Sequence, residues 1–487
     1  MTNGRTERHI QQRLSENSGA GSLIETSMAW MNPLYDSDQG LLQYPDTSGK
    51  HMVRESLWYA FGLVLEARFL SNRENYPGRV EKIIGKVLDN QYDAPGTVWH
   101  GTFKRAPQEA DPPHDAVIWK DYDPNWRQFI GTVLLLLRRL EGHLTLANLL
   151  PQIDAALIRC VEGEPVDRVP PTYTNIALMR AWLEIECRDL TGDDTRDRGL
   201  SYARDIYRIF KRHGAFAEYN SPTYYGINFF ALGLWQNFSD DLAEMGREIN
   251  TSLWSDIAHY YHAGMKNLCG PWSRSYGMDM QKYVAALGLW IWAATNREVA
   301  PFPDATSHLQ HGHDFCLGPV AAFSAVEIPD QAKERLVSFK ENTSVTQQIT
   351  TTPVRTAQAY LSGNIMIGLE SSERNFHGAD QYHPLTIHWL DSETGVNWGR
   401  LRFRGKIQGE LHQTRILLKL TADEGVTMAR LEFSHGIQLT DHTIESNGLT
   451  MHLNTPLQLQ TDASSLIINL PDSAGEHALS ISCEVKE

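Results

Sequence analysis

Five stretches of this 487-residue chain repeat one arrangement: a polar or aromatic opening, often carrying Pro or Gly, runs straight into an apolar segment long enough for a helix. They start near Lys50-His51-Met52, Asp123-Pro124-Asn125-Trp126, Pro170-Pro171-Thr172-Tyr173, Tyr219-Asn220-Ser221-Pro222 and Arg274-Ser275-Tyr276-Gly277. Recurrence at roughly 50–70 residues, each time followed by a more polar helical stretch, is the signature of helical hairpins arranged in a ring. The segments 56–68, 129–140, 176–186, 224–235 and 283–294 are apolar almost all round, which suits helices buried on both sides. The segments 79–88, 146–158, 200–210 and 253–265 are amphipathic and suit an outer layer. Two antiparallel layers closed into a ring make an incomplete α/α toroid. If the apolar helices line its inside, their N-termini gather at one rim, where unpaired N–H groups and helix dipoles favour an anionic ligand. The functional site is expected at that rim.

Beyond about residue 301 the pattern changes. Segments 386–390, 416–420, 427–433, 449–453 and 465–470 are short, mostly rich in β-branched residues, and separated by turn signals such as Asp391-Ser392-Glu393-Thr394-Gly395 and Glu445-Ser446-Asn447-Gly448. They predict an antiparallel β-sandwich. The expected organisation is an N-terminal extension over 1–47, a toroid over 48–300, a connector over 301–320 and the β domain over 321–487.

Composition narrows the possible partners. A formal charge of −15, with no extended Lys/Arg cluster, argues against a nucleic-acid backbone. No apolar run is long enough for a membrane span or a signal peptide, so a cytoplasmic location is expected. Cys160, Cys187, Cys269, Cys316 and Cys483 show no CxxC spacing and read as buried free thiols in a reducing compartment. Neither a cofactor nor a metal is expected, because the spacing of His308, His311 and His313 matches no recognised ligand pattern. His377 and His383, between strands of the β domain, have two readings: residues that reach over the ring mouth, and, the one preferred, exposed loop histidines. Composition does not indicate an oligomeric state.

Candidate chemistry lies at the helix starts. Asn125, Trp126 and Arg127 place an amide, an indole and a guanidinium together. The structural reading makes Asn125 or Asp123 an N-cap and Trp126 packing; the functional one has Asn125 donating to a substrate carboxylate while Trp126 stacks on a sugar. Ser221-Pro222 is a good cap with Pro in the first turn, which brings Glu218, Tyr219, Asn220, Tyr224 and Tyr225 to one helix start. A third loop carries Trp272, Arg274 and Tyr276, where Arg274 has Glu218 or Asp279 as possible ion-pair partners.

These residues resemble a known family. Asn125-Trp126-x-x-x-Ile130-Gly131 is similar to the Asn-Trp-Trp-x-x-Glu-Ile-Gly helix start of the chondroitin AC and hyaluronate polysaccharide lyases. Gly214-Ala215-Phe216, followed by Tyr225-Gly226, resembles their Asp-Gly-Ser-Phe stretch leading to a catalytic Tyr, and Ser273-Arg274 resembles their Arg-rich loop. The toroid-then-sandwich layout is shared with these enzymes and with heparinase-type lyases. This chain departs from the pattern at Tyr219, where the family has a His, at Arg127 and Phe129, and in a shorter β portion.

The resemblance implies metal-independent β-elimination from an acidic oligosaccharide or polysaccharide containing uronate. A proton α to a carboxylate is removed while the developing charge is stabilised electrostatically. Asn125, with Asn220 or Arg274, would supply that stabilisation. Tyr224 or Tyr225, with Tyr276 in reserve, would act as base and acid, the phenolate favoured by a nearby Arg. Trp99, Trp126 and Trp272 would form stacking walls, and Arg127, Glu218 and Tyr219 would contact substrate. Asn125, Asn220, the Tyr and Arg274 are expected in one cleft. Two other readings fit the sequence: a toroid dehydratase, isomerase or cyclase acting on a small hydrophobic metabolite, and a non-catalytic carbohydrate-binding protein.

Overall fold

In the computed structural model, which describes residues 14, 18–46, 48–70, 76–304, 309–324, 328–377, 381–470 and 475–486, the five apolar stretches form helices. They are Val53–Phe69, Trp126–Glu141, Thr174–Glu186, Tyr225–Phe238 and Ala286–Ala294. Each is buried along nearly its whole length, as an all-round apolar sequence requires. The amphipathic stretches form Gly78–Leu88, Leu150–Glu162, Asp193–His213 and Ala243–Tyr260. Leu150–Glu162 buries only Ile153, Ala156, Leu157, Cys160 and Val161, one stripe at helical spacing. Asp193–His213 opens on two acids and closes on Lys211, Arg212 and His213, matching its dipole.

Several helix boundaries differ from the sequence reading, among them the outer helices expected from 200 and 253, which start at Asp193 and Ala243. Three of the differences have a visible local cause. The helix expected from 146 starts at Leu150, with Pro in its first turn fixing the start. The one expected to reach 265 ends at Tyr260, where Tyr261–His262 and Asn267–Leu268 pair as a hairpin. Ala286–Ala294 starts late because Val284 donates its N–H to Gln310 O.

The chain divides into two compact units. The first comprises Met1–Ile209, Tyr225–Asn250 and Val284–Glu327. In it, Ser18–Met31 packs on Ala286–Ala294 and Gly318–Ser324, burying Leu23, Ile24, Met28 and Met31. Trp292 donates its indole N–H to Ser22 Oγ at 2.9 Å. Gly226 and Gly233, two turns apart on Tyr225–Phe238, allow close backbone approach. A Cβ at Gly226 would lie 2.5 Å from the Ala286 carbonyl carbon, and one at Gly233 would lie 2.3 Å from Ser324 O.

The second unit comprises Phe210–Tyr224, Thr251–Tyr283 and Ile328–Glu487. Among its described residues, fourteen antiparallel strands form one hydrogen-bonded sheet, apart from the hairpin at 261–268. The run Thr343–Thr351, Val354–Leu361, Ile365–His377, Leu385–Asp391 and Gly395–Arg402 pairs in sequence order. Arg404–His412 returns to the far part of Ile365–His377 and pairs with Arg415–Ala422. The last strand, Glu476–Val485, lies between Arg415–Ala422 and Leu449–Asn454. The turn signals act as read: Asp391 Oδ1 accepts the N–H groups of Glu393 and Thr394, while Asn447 and Gly448, both at positive φ, make a two-residue hairpin turn. Alternating burial along the strands places Ile367, Leu369, Trp389, Leu418 and Ile481 in one core.

Candidate active site

The second unit brings Glu218, Tyr224, Arg274 and Tyr276 into mutual contact. Ser221 starts the construction. Its hydroxyl accepts the Tyr224 N–H at 3.0 Å, as an N-cap does, and donates to Arg274 O at 2.5 Å. One side chain thus fixes both segments that carry the cluster. Asn220 sits at φ 50°, a left-handed conformation Asn tolerates, and its amide donates to Cys269 O at 2.8 Å and Pro271 O at 2.9 Å. It is buried and acts as a clamp on the second segment.

Arg274 is the centre of the cluster. Its guanidinium donates to Tyr224 Oη at 2.7 Å, Glu218 Oε1 at 2.9 Å and Gln381 Oε1 at 3.1 Å, and lies 3.7 Å from the centroid of the Tyr224 ring. Of its two possible ion-pair partners it therefore takes Glu218. The Tyr224 and Tyr276 hydroxyls are 2.8 Å apart. All five side chains are only half-buried, so solvent reaches a phenol held against a cation and a second phenol. Such an arrangement stabilises negative charge on the Tyr224 oxygen and supplies a short proton path.

Behind it lies a buried support. Trp272 exchanges backbone hydrogen bonds with His383, both at 3.0 Å. His383 Nε2–H donates to Ser275 O at 3.3 Å and His388 Nε2–H to Met278 O at 2.8 Å, so two imidazoles hold the segment on either side of Tyr276. Both histidines are fully buried, contrary to the loop reading of His383. Burial holds both neutral, with pKa lowered from 6.5 to about 3 for His383, reinforced by Arg400 and Arg402, and to about 4 for His388. Tyr219, also buried, donates to Asp256 Oδ1 at 3.1 Å.

The remaining sequence candidates lie in the first unit. Asn125 makes no capping bond; the Asp123 carboxylate accepts the Asn125 N–H instead, at 2.9 Å. The Asn125 amide donates to Tyr173 Oη at 2.9 Å and accepts from Arg168 at 2.8 Å. Arg168 also bonds Glu164, which accepts from Gln128 at 2.9 Å. Arg127 is 0% exposed and donates to the carbonyls of Val98, His100 and Pro124, so it anchors a loop. Trp126 and Trp99 are buried, as is Trp272 in the other unit. Arg54 lies 5.1 Å from the Trp126 ring centroid, and Trp99 packs on Tyr122. Tyr225 is 0% exposed, in the first turn of its apolar helix.

Sequence reading missed Gln381, His383 and His388 as members of this arrangement. Gln381 is 107 residues from Arg274, and nothing local marks it. All five cysteines are free and buried. His308 lies outside the described residues; His311 and His313 fall close to Asp314. Among the described residues, no helix is long and apolar enough to cross a membrane.

A family model described as "Domain of unknown function (DUF8769)" matches residues 21–326. No curated protein matches the chain. Solved structures similar to it include the chondroitin AC lyase of Streptomyces coelicolor A3 in complex with chondroitin sulphate. That match has 11% identity and a TM-score of 0.39 and covers 97% of this chain and 79% of that one. Another is a heparinase III, at 8% identity and TM-score 0.31, covering 95% and 84%.

Proposed function

The chain belongs to the DUF8769 family, whose description assigns no chemistry, and from its own residues we propose that it is a carbon–oxygen lyase cleaving a uronate-containing glycan by metal-independent β-elimination. The observation that carries this reading is the Arg274 N–H donated to Tyr224 Oη at 2.7 Å, with Tyr276 Oη 2.8 Å away, in a half-open setting. Among the two tyrosines left open by the sequence, Tyr224 is chosen because Tyr225 is closed to solvent. The substrate class rests on the motif resemblance at Asn125–Gly131, Gly214–Phe216 and Ser273–Arg274.

In this reading Tyr224 enters as the phenolate, stabilised by Arg274, and removes the proton α to the substrate carboxylate. The C–H electron pair forms the C4–C5 double bond and the C4–O4 bond breaks. Tyr224, now protonated, returns the proton to the leaving oxygen. As charge passes from phenolate to carboxylate, Arg274 stabilises both ends. Glu218 and Gln381 orient the guanidinium, and Tyr276 hydrogen-bonds the reacting phenol. The same reading takes the helices of the first unit as an incomplete α/α toroid and the large sheet as folding into a sandwich.

The direct test incubates the protein with uronate-containing glycans and follows the ultraviolet absorbance of the conjugated 4,5-unsaturated product. Products lacking that double bond, or no turnover on any uronate glycan, would remove the lyase reading.

A further inference from the structure

Among the described residues, one group of three His, Cys, Asp or Glu side chains could hold a metal ion, in the sequence His311-Gly312-His313-Asp314 of the first unit. One ligand atom from each of His311, His313 and Asp314 lies within 4.8 Å of the others, and all three side chains are partly accessible. The imidazole centroids are 5.8 Å apart, and His313 Nε2 is 3.7 Å from Asp314 Oδ1.

The backbone beneath them is well anchored. The one-residue spacing through Gly312 opens the short 3-10 turn Gly312–Leu317, with His311 at φ 53°. Phe315, fully buried, packs in the same turn on Trp30, Trp292 and Phe302, with centroids 5.8, 6.2 and 4.7 Å away. Gly312 is itself packed, since a Cβ there would lie 3.0 Å from Leu309 Cβ. The anchored turn presents three ligand atoms within 4.8 Å of one another, and closing on an ion draws them to roughly 3.3 Å apart around a 2.0–2.1 Å tetrahedral site. Arg54, a neighbouring cation that senses Asp314, is already paired with Glu55 at 2.5 Å.

We propose that His311, His313 and Asp314 form a binding site for a divalent first-row transition metal. Two imidazoles and one carboxylate suit zinc, cobalt or iron better than calcium or magnesium, which prefer all-oxygen shells. Three protein ligands leave at least one coordination position for water or another oxygen ligand. Cys316, two residues on, is fully buried and takes no part. The site is independent of the elimination chemistry assigned to Tyr224.

The test titrates the chelator-treated 487-residue chain with Zn²⁺ by calorimetry. One equivalent is expected to bind, and a His311→Gln/His313→Gln double variant with unchanged circular dichroism should lose roughly tenfold or more in affinity. Absence of stoichiometric binding, or an unchanged affinity in the variant, overturns the proposal. If the double variant fails to fold, the near-isosteric Asp314→Asn replaces it under the same criteria. Cobalt(II) loaded into the wild type should give d–d bands of nitrogen and oxygen ligation; a thiolate charge-transfer band would put the ion on the cysteines and overturn the assignment.

Discussion

Tyr224 owes its setting to partners from separate parts of the chain: Ser221 three residues before it, Arg274 and Tyr276 some fifty residues later, and Gln381 behind Arg274. Removing only its hydroxyl by Tyr224→Phe is expected to lower kcat by about 10²–10⁴ with little change in substrate binding, because the lost contribution is made in the transition state. Steady-state kinetics on the unsaturated product measures this; wild-type turnover in the variant would remove Tyr224 from the mechanism. Asn125→Ala makes a contrasting case. The amide it deletes serves Arg168 and Tyr173, so a stability loss of about 1–3 kcal/mol is expected in denaturant titration. At this scale the sequence makes legible the residues that touch, Glu218, Tyr224, Arg274 and Tyr276, but no role in chemistry. Residue type signals chemistry but not exposure. Hence Asn220, Arg127 and Tyr225 looked equivalent to their neighbours until burial and partners separated them.

Among the elements, the segment 269–278 decides whether the cluster exists. It is held from one side by Asn220, from below by His383 and His388, and by a close backbone crossing with the sheet. A Cβ placed on Gly368 would lie 1.9 Å from the carbonyl carbon and oxygen of Gly270. Gly368→Ala must therefore push the strand Ile365–His377 and this segment apart. It is expected to cost about 3 kcal/mol in chemical denaturation and to lower kcat in the fraction that folds; a near-neutral stability change would mean that the crossing yields easily. Helix existence was readable from apolar periodicity, because an all-round apolar stretch has no alternative to burial. Helix ends were not. The end at Tyr260 is set by a short hairpin that pairs Tyr261 with Leu268, and the start at Ala286 by the bond from Val284 to Gln310, 26 positions on.

Across the whole molecule, the two neutral histidines make the second unit sensitive to acid. In the unfolded chain they take up protons near pH 6.5, whereas in the folded protein they do so only near 3 and 4. Between pH 6.5 and about 4 the two histidines therefore make unfolding bind protons, and their contribution to stability falls as the pH falls, while Asp256, whose carboxyl pKa burial raises to about 7, acts in the opposite direction. His388 alone contributes about 3 kcal/mol of this loss at the bottom of that window. His388→Gln retains a donor for Met278 O and should flatten the dependence; melting temperatures measured from pH 7 to pH 4.5 that stay parallel in the two proteins would show the imidazole is not responsible. The order of helices then strands was legible at this scale, since hydropathy period changes near residue 301. Recruitment of 210–224 and 251–283 into the strand-rich unit was not, because those segments are helical and loop-like in sequence, yet His213, Ala217 and Met278 accept hydrogen bonds from Gln347, Arg355 and His388, strand residues more than a hundred positions away.

The position of the final strand has a consequence for biosynthesis. Glu476–Val485 is an interior member of the sheet, bonded to Arg415–Ala422 on one edge and Leu449–Asn454 on the other. During translation these two neighbours leave the ribosome before residues 476–485, so their facing edges lack the partner they bond in the folded sheet. The nascent sheet therefore waits in two parts, its open edges available to chaperones or to other nascent chains, until residues 476–485 emerge and join them.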